Sequence, residues 1–252
     1  MTGGFWPGDL IVIAASPCMG KTALALNIAE HVALAQGLPV AIFSTDMGAD
    51  QISIRMAASI GRISLDHLRT GKLTEYEVPR LATAIADLSD ARLHVSVSSS
   101  QSIDAMQTEA SDFFRTSGCP GLIVIDYLQL LDGDSNSNSS NRNDEISKIS
   151  RGLKLLAQEL DCPVIALSQL NRSVESRGDK RPMMSDLRDS GAIEQDADTI
   201  LFIYRDDYYA KEQSTEPGVA EIIVAKARNG ETGTMRLGWQ KEYTRFTNLT
   251  HS

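Results

Sequence analysis

Three short stretches, "LIVIAA" (10–15), "GLIVID" (121–126) and "PVIALS" (163–168), are apolar at nearly every position. A strand with one wet face alternates polar and apolar residues, whereas one that is apolar throughout must be covered on both faces. Further strands are expected at "VAIFS" (40–44), "RLHVS" (92–96), "TILFIY" (199–204), "AEIIVAK" (220–226) and "TMRLGW" (234–239). Helical patterns separate the earlier strands, at 21–36, near 49–60 and 74–89, at 102–117 and at about 143–160. In the last of these, Ile146, Ile149, Leu153, Leu156 and Leu160 keep the three-to-four spacing of one apolar stripe, with Lys148, Arg151 and Lys154 on another face. Strands alternating with helices predict an α/β core with a mostly parallel, twisted sheet and helices on both faces. The last three strands have no helix between them in this reading. They form an antiparallel extension turning near Asn229-Gly230.

The 252 residues suit one large domain, with no internal repeat and no second boundary. No apolar run reaches the roughly 18 residues of a membrane helix. The opening "MTGGFWPGDL" lacks the basic and apolar parts of a signal peptide. Cys18, Cys119 and Cys162 are scattered and odd in number, which argues for a reducing, cytoplasmic setting rather than a disulfide framework. A net charge of −9 argues against a protein that coats polyanions, but not against a few local basic loops. Two stretches break the regular pattern. "DGDSNSNSSNRN" (132–143) has no apolar anchor, and "RSVESRGDKRP" (172–182) carries Arg172, Arg177, Lys180 and Arg181.

Between the first strand and first helix lies "AASPCMGKT". A phosphate-binding loop needs converging backbone N–H groups at a helix N-terminus, a lysine for the outer phosphates and a hydroxyl for Mg²⁺. Gly20, Lys21 and Thr22 supply the second half of that motif, in the strand-to-helix context it requires. Ala15 stands where the first glycine of the usual pattern falls, which is tolerable if its φ is negative. Asp126, ending an apolar strand, suits a carboxylate that holds a Mg²⁺-bound water. Each signal alone is weak; together they point to a nucleoside triphosphatase.

Eight segments then carry a resemblance: "PCMGKT", "IFSTDM", "RTGKL", "LIVIDYLQLL", "EISKISRGLKLLAQEL", "PVIALSQLNRSVESRGDKRP", "SDLRDSGAIEQDAD" and "KARNG". In this order, from about Gly8 to Phe246, they resemble the C-terminal motor domain of the DnaB-type replicative DNA helicases. The resemblance implies a RecA-like P-loop fold over residues 1–252, ATP and Mg²⁺ as ligands, and a hexameric ring. Such a ring draws single-stranded DNA through its centre, 5′ to 3′ on the encircled strand. It also implies a primase or a helicase loader as partner. The family's loop begins with alanine, as Ala15 does; Cys18 stands where serine is usual.

Carried over residue by residue, Ser16, Pro17, Cys18, Met19, Gly20, Lys21 and Thr22 would cradle the phosphates, with Thr22 and Asp126 on Mg²⁺. Gln169 would sense the γ-phosphate. Lys226 and Arg228 of "KARNG" would enter the neighbouring subunit's site, although by the residues alone they read as a solvated strand end. An arginine so placed stabilises transition-state charge and is worth roughly 10³–10⁵ in rate. The family's water-orienting glutamate is Asp46 here, one methylene shorter. Arg188, Asp189 and Gly191 match its DNA-backbone contacts, again with aspartate in place of glutamate. Arg177, Lys180 and Arg181 are further candidates, in a loop whose composition also suits a solvated turn. Backbone contacts of this kind are blind to sequence and sensitive to salt. Neither loop contains an aromatic residue, so base stacking is not expected from them.

The family's N-terminal domain and linker helix have no counterpart in these residues, so weak self-assembly is expected. Two competing readings are a recombinase-like or helicase-loading ATP-binding protein, and an assembling subunit that binds ATP without hydrolysing it.

Overall fold

A computed structural model describes residues 2–98, 102–126, 142–187 and 190–249. Nine strands form one sheet among these residues: β1 (Leu10–Ala15), β2 (Val40–Ser44), β3 (Leu93–Val97), β4 (Leu122–Asp126), β5 (Val164–Gln169), β6 (Thr199–Tyr204), β7 (Val219–Ala227), β8 (Gly233–Gln240) and β9 (Arg245–Asn248). Their spatial order is β3-β2-β4-β5-β1-β6-β7-β8-β9. The first six are parallel, and β7, β8 and β9 add antiparallel to β6.

The alternation of side chains explains why the central strands are apolar throughout. Val12, Ala14, Phe43, Ile123, Ile125, Ala166 and Phe202 point to one face. There they meet α5 (Ile103–Ser117), α6 (Arg142–Glu159) and α7 (Ser190–Asp196). Ile11, Ile13, Ile42, Val124, Ile165 and Leu201 point to the other, against α1 (Lys21–Glu30) and α2 (Ala49–Gly61). Two further helices, α3 (Leu65–Thr70) and α4 (Glu77–Asp90), follow α2. In α6 the predicted stripe Ile146, Ile149, Leu153 and Leu156 is buried. Lys154, read as part of a polar face, is instead buried: its Nζ donates to Asp198 Oδ2 (2.6 Å) and to the Gly8 carbonyl (2.7 Å). A long stem lets lysine reach a partner that periodicity does not reveal.

Other expectations shift. The helix expected over 21–36 is α-helical only to Glu30, and His31–Ala35 form a wider turn closed by Gln36 N–H to the His31 carbonyl (3.2 Å). A five-residue helix, α8 (Asp206–Ala210), interrupts the stretch expected to be helix-free; it is too short to show a period. Of the polar stretch 132–143, only 142 and 143 are described, in α6. Gly121 enters β4 beside Pro39, whose carbonyl oxygen would stand 1.8 Å from any Cβ there. Only glycine permits that approach. No helix among the described residues is long and apolar enough to cross a membrane.

Candidate nucleotide site and its surroundings

In an open parallel sheet, ligands bind at the carboxyl ends of the strands. Here β1 ends at Ala15, in register with Gln169 of β5, and β2 and β4 end together at Ser44 and Asp126. These ends open into a cavity of about 850 Å³ lined by the loop residues Ser16, Pro17, Cys18 and Gly20, and by Lys21, Thr22, Asp46, Asp126 and Gln169.

Ala15 is a strand residue and does not appear among those with positive φ. The left-handed residues of the loop are Cys18 (φ 63°) and Gly20 (φ 101°). An L-residue such as Cys18 held there costs on the order of 1–3 kcal/mol, a strain that recurs at ligand-binding turns. Gly20 is fixed twice over, because a Cβ would also lie 2.9 Å from Phe246 Cζ. Phe246 packs on Trp239 (centroids 4.6 Å apart), and Arg205 lies over the Trp239 ring at 5.0 Å. Arg205 Nη1 donates to the Cys18 carbonyl (3.4 Å). The antiparallel extension thus braces the loop from behind.

Thr22 Oγ1 donates to Asp126 Oδ2 at 2.8 Å, and Lys21 Nζ lies 3.8 Å from Asp126 Oδ1. Burial pushes the Lys21 pKa down against the pull of Asp126 and Asp46, and pushes Asp126 up against the pull of Lys21 and the Thr22 hydroxyl. In both cases burial outweighs the mutual attraction. Thr45 holds the neighbouring segment: its N–H (2.8 Å) and hydroxyl (3.0 Å) both donate to the Asp126 carbonyl. Ser44 Oγ closes the following turn by donating to the Met47 carbonyl (2.8 Å) and accepting its N–H (3.0 Å). Asp46, between these anchors, is exposed and faces the cavity.

Sequence reasoning missed Arg55, Arg205, Lys211 and Lys241, which also line the cavity. Arg55 lies within α2, and no local pattern marks it. Arg205 at the end of β6 was legible as a charge closing an apolar run.

Lys226 and Arg228 stand elsewhere. Lys226 is in register with Ile200, and Ile200 with Val12, so it lies three residues from Ala15 toward the opposite edge of the sheet, about 10 Å along the strand. Lys226 Nζ donates to the carbonyls of Glu194 (2.5 Å) and Ala197 (2.6 Å), and Arg228 Nη2 to that of Gln195 (2.7 Å). Both therefore close the C-terminal end of α7, where cations are favoured. Neither lines the cavity of its own chain.

Arg188 and Asp189 lie outside the described residues, and Gly191 falls in the first turn of α7. The loop 172–182 leaves after β5 and returns through a bridge between Leu170 and Leu187. Arg177 grips Asp186 with two bonds (2.9 and 2.7 Å). Arg181 does the same to Glu221 (2.9 and 2.7 Å) and lies 4.6 Å over the Tyr204 ring. Lys180 Nζ stands 4.6 Å over the ring of Tyr209. The loop has no aromatic residue of its own, yet it packs on two tyrosines.

Residues 1–248 match the family model described as "DnaB-like helicase C terminal domain". The chain is 51% identical to the "Replicative DNA helicase DnaB" of Geobacillus stearothermophilus and 50% identical to the "Replicative DNA helicase DnaC" of Bacillus subtilis. Each match covers 99% of this chain and 54% of the relative. The chain therefore spans about half the length of these relatives. A solved DnaB-like replicative helicase, described with its interactions with primase, superposes with a TM-score of 0.93 at 40% identity, over 99% of this chain and 59% of that one. A second solved structure, described as an ATPase domain, gives the same score and identity, over 99% and 88%. With the fold and nearly the whole length in agreement, the chain belongs to the DnaB-like helicase C-terminal domain family.

Proposed function

We propose that this domain binds ATP with Mg²⁺ in the cavity at the end of β1 and hydrolyses it as the motor of a replicative DNA helicase, acting in a ring on single-stranded DNA. The observation that carries the reading is the meeting of Thr22 and Asp126 at 2.8 Å beside Lys21. One hydroxyl, one carboxylate and one ammonium stand where a left-handed loop opens a helix. The residues fit the ligand: five cationic side chains, Lys21, Arg55, Arg205, Lys211 and Lys241, face one cavity with three carboxylates, Asp46, Asp126 and Asp207.

In this mechanism the amides of the loop and Lys21 hold the outer phosphates. Thr22 and Asp126 would hold the Mg²⁺ ion, which when bound would draw charge from the phosphate oxygens. Asp46 accepts a hydrogen bond from the attacking water and aligns it. Gln169, beside Ala15 and the last residue of β5, meets the terminal phosphate and passes its state directly to the loop that follows.

Lys226 and Arg228 sit toward the opposite edge of the sheet from the loop. A trans role therefore needs a head-to-tail neighbour that presents its cavity to that edge, which is the heterologous contact that closes rings. Arg188, Asp189, Gly191 and Lys180 are the DNA-facing candidates. Arg177 and Arg181, already paired with carboxylates, shape the loop and contact DNA only by leaving those partners. A primase or helicase loader as partner, and 5′ to 3′ movement, belong to the same reading.

The test is ATP turnover against protein concentration, with and without poly-dT at low salt. Turnover per subunit that rises with both supports shared sites and DNA coupling. Flat, near-zero turnover supports the competing reading of a subunit that binds ATP without hydrolysing it.

A further inference from the structure

Tyr209, in α8, touches both the loop after β1 and the loop after β5. Its hydroxyl lies 3.4 Å from Ser16 Oγ and 3.1 Å from Glu175 Oε1. Ser16 is the first residue of the phosphate loop and is buried; Glu175 belongs to the loop that follows β5 and is exposed. The Tyr209 ring lies under Lys180 Nζ and stacks on Tyr204 (5.9 Å, 24°), the ring that carries Arg181. One side chain thus links the first residue of the nucleotide loop to two residues of the basic loop, and through Tyr204 to a third.

The protons on this path are determined by valence. A carboxylate only accepts, and a phenol has one proton. The Tyr209 O–H therefore donates to Glu175, and the Ser16 O–H is left to donate to the phenol oxygen. Burial pushes the Tyr209 pKa up, which keeps the phenol a donor.

We infer that Tyr209 is a positioning residue that couples occupancy of the phosphate loop to the arrangement of the basic loop 172–182, through the chain Ser16–Tyr209–Glu175. An anionic oxygen in the cavity is a stronger acceptor than a phenol and draws the Ser16 hydroxyl toward itself. Tyr209 then loses its incoming hydrogen bond, and its hold on Glu175, and with it the seat of Lys180, is reset. The reverse holds by linkage: a ligand that reorganises the basic loop changes how tightly the nucleotide is held. The inference rests on the cavity being a nucleotide site.

The experiment is hydrogen exchange of residues 172–182 in the full chain, with and without Mg²⁺ and a non-hydrolysable ATP analogue. Analogue binding is measured separately by calorimetry, and folding by thermal unfolding. Tyr209→Phe keeps the ring and removes the hydroxyl; Glu175→Gln, at an exposed position, weakens the acceptor without risk to the core. In the wild type the analogue should change exchange of the loop by about fivefold or more, the low end of ordinary coupling. In either variant that change should fall to less than half, with binding and unfolding midpoint retained. A response of equal size in the variants overturns the inference, as does a wild type that binds the analogue with no response in the loop. A wild type that fails to bind the analogue overturns the nucleotide reading itself, and the coupling with it.

Discussion

The Ser59 hydroxyl donates to Glu30 Oε2 at 2.8 Å, joining α2 to α1 at a site where Glu30 is 5% exposed. Asn27 reaches Ser59 (3.0 Å) and accepts the Phe246 N–H (2.8 Å), while Arg245 Nη1 donates to the Ser59 carbonyl (3.0 Å). This cluster ties α1, the helix that follows Gly20, to the helix that carries Arg55. Burial raises the Glu30 pKa from 4.5 to about 7, opposed by Ser59, Arg245 and Asn27. Between those values the folded state binds more protons than the unfolded one, so Glu30 makes stability fall as pH rises from about 4.5 to 7. Glu30→Gln should flatten that slope and stabilise the domain at pH 7.5 by about 2–3 kcal/mol. Urea unfolding of both proteins at about pH 5 and pH 7.5 checks this; equal slopes would remove Glu30 as the source.

Lys21→Ala removes the ammonium that stands 3.8 Å from Asp126. Turnover should drop by about 10²–10³-fold, as when one electrostatic donor is lost from a reaction centre. Steady-state ATP hydrolysis reads the outcome, and an undiminished rate would sink the phosphate-loop assignment.

Asp46 sits between two anchors on Asp126 and Ser44, so its backbone has little freedom to offset a short side chain. Asp46→Glu should raise turnover, by up to ~10²-fold if the carboxylate now stands about 1 Å short. Asp46→Asn should lower it. A rate unchanged in both variants would show that another group orients the water.

Arg228→Ala should keep nucleotide binding and lose hydrolysis. Mixed with wild type, it should depress turnover below the weighted mean, because each variant subunit disables a neighbour. A plain average across mixing ratios would show that Arg228 does not act in trans.

Arg177 and Lys180, on the same loop, should separate cleanly. Arg177→Ala leaves Asp186, 3% exposed, without its two-bond partner. It should cost about 2–3 kcal/mol of stability. Lys180→Ala should leave stability within about 0.5 kcal/mol. It should also weaken poly-dT binding and lower the salt slope by about one ion. Denaturation and salt-titrated anisotropy on the same two variants give both answers.

The strands and the stripe of α6 were legible because each is a local pattern imposed by a buried environment. Residues 10–15 must be apolar on both faces, and Gly20-Lys21-Thr22, contiguous in sequence, line one cavity. What stayed hidden depends on partners distant in sequence. Lys154 reads as surface until Asp198 is placed beside it. Arg177 and Arg181 read as free cations until Asp186 and Glu221 are seen. β9 is four residues, "RFTN", too short for a period, yet Phe246 within it closes the wall behind Gly20. Arg188 and Asp189, named from resemblance alone, lie outside the described residues.

The placement of β1 between β5 and β6 has a consequence for how the domain is made. Of the nine strands, β1 leaves the ribosome first, but its neighbours begin only at Val164 and Thr199. Until then its backbone donors and acceptors lack their lateral partners, and six consecutive apolar residues stay uncovered. Loop closure over such separations is slow, and exposed strand edges invite wrong pairing. Even when β5 and β6 have docked, the wall behind Gly20 waits for Phe246, close to the end of the described residues. The nascent domain therefore carries an apolar strand without its lateral partners until Val164 and Thr199 have been made, and the packing behind Gly20 is completed only with Phe246.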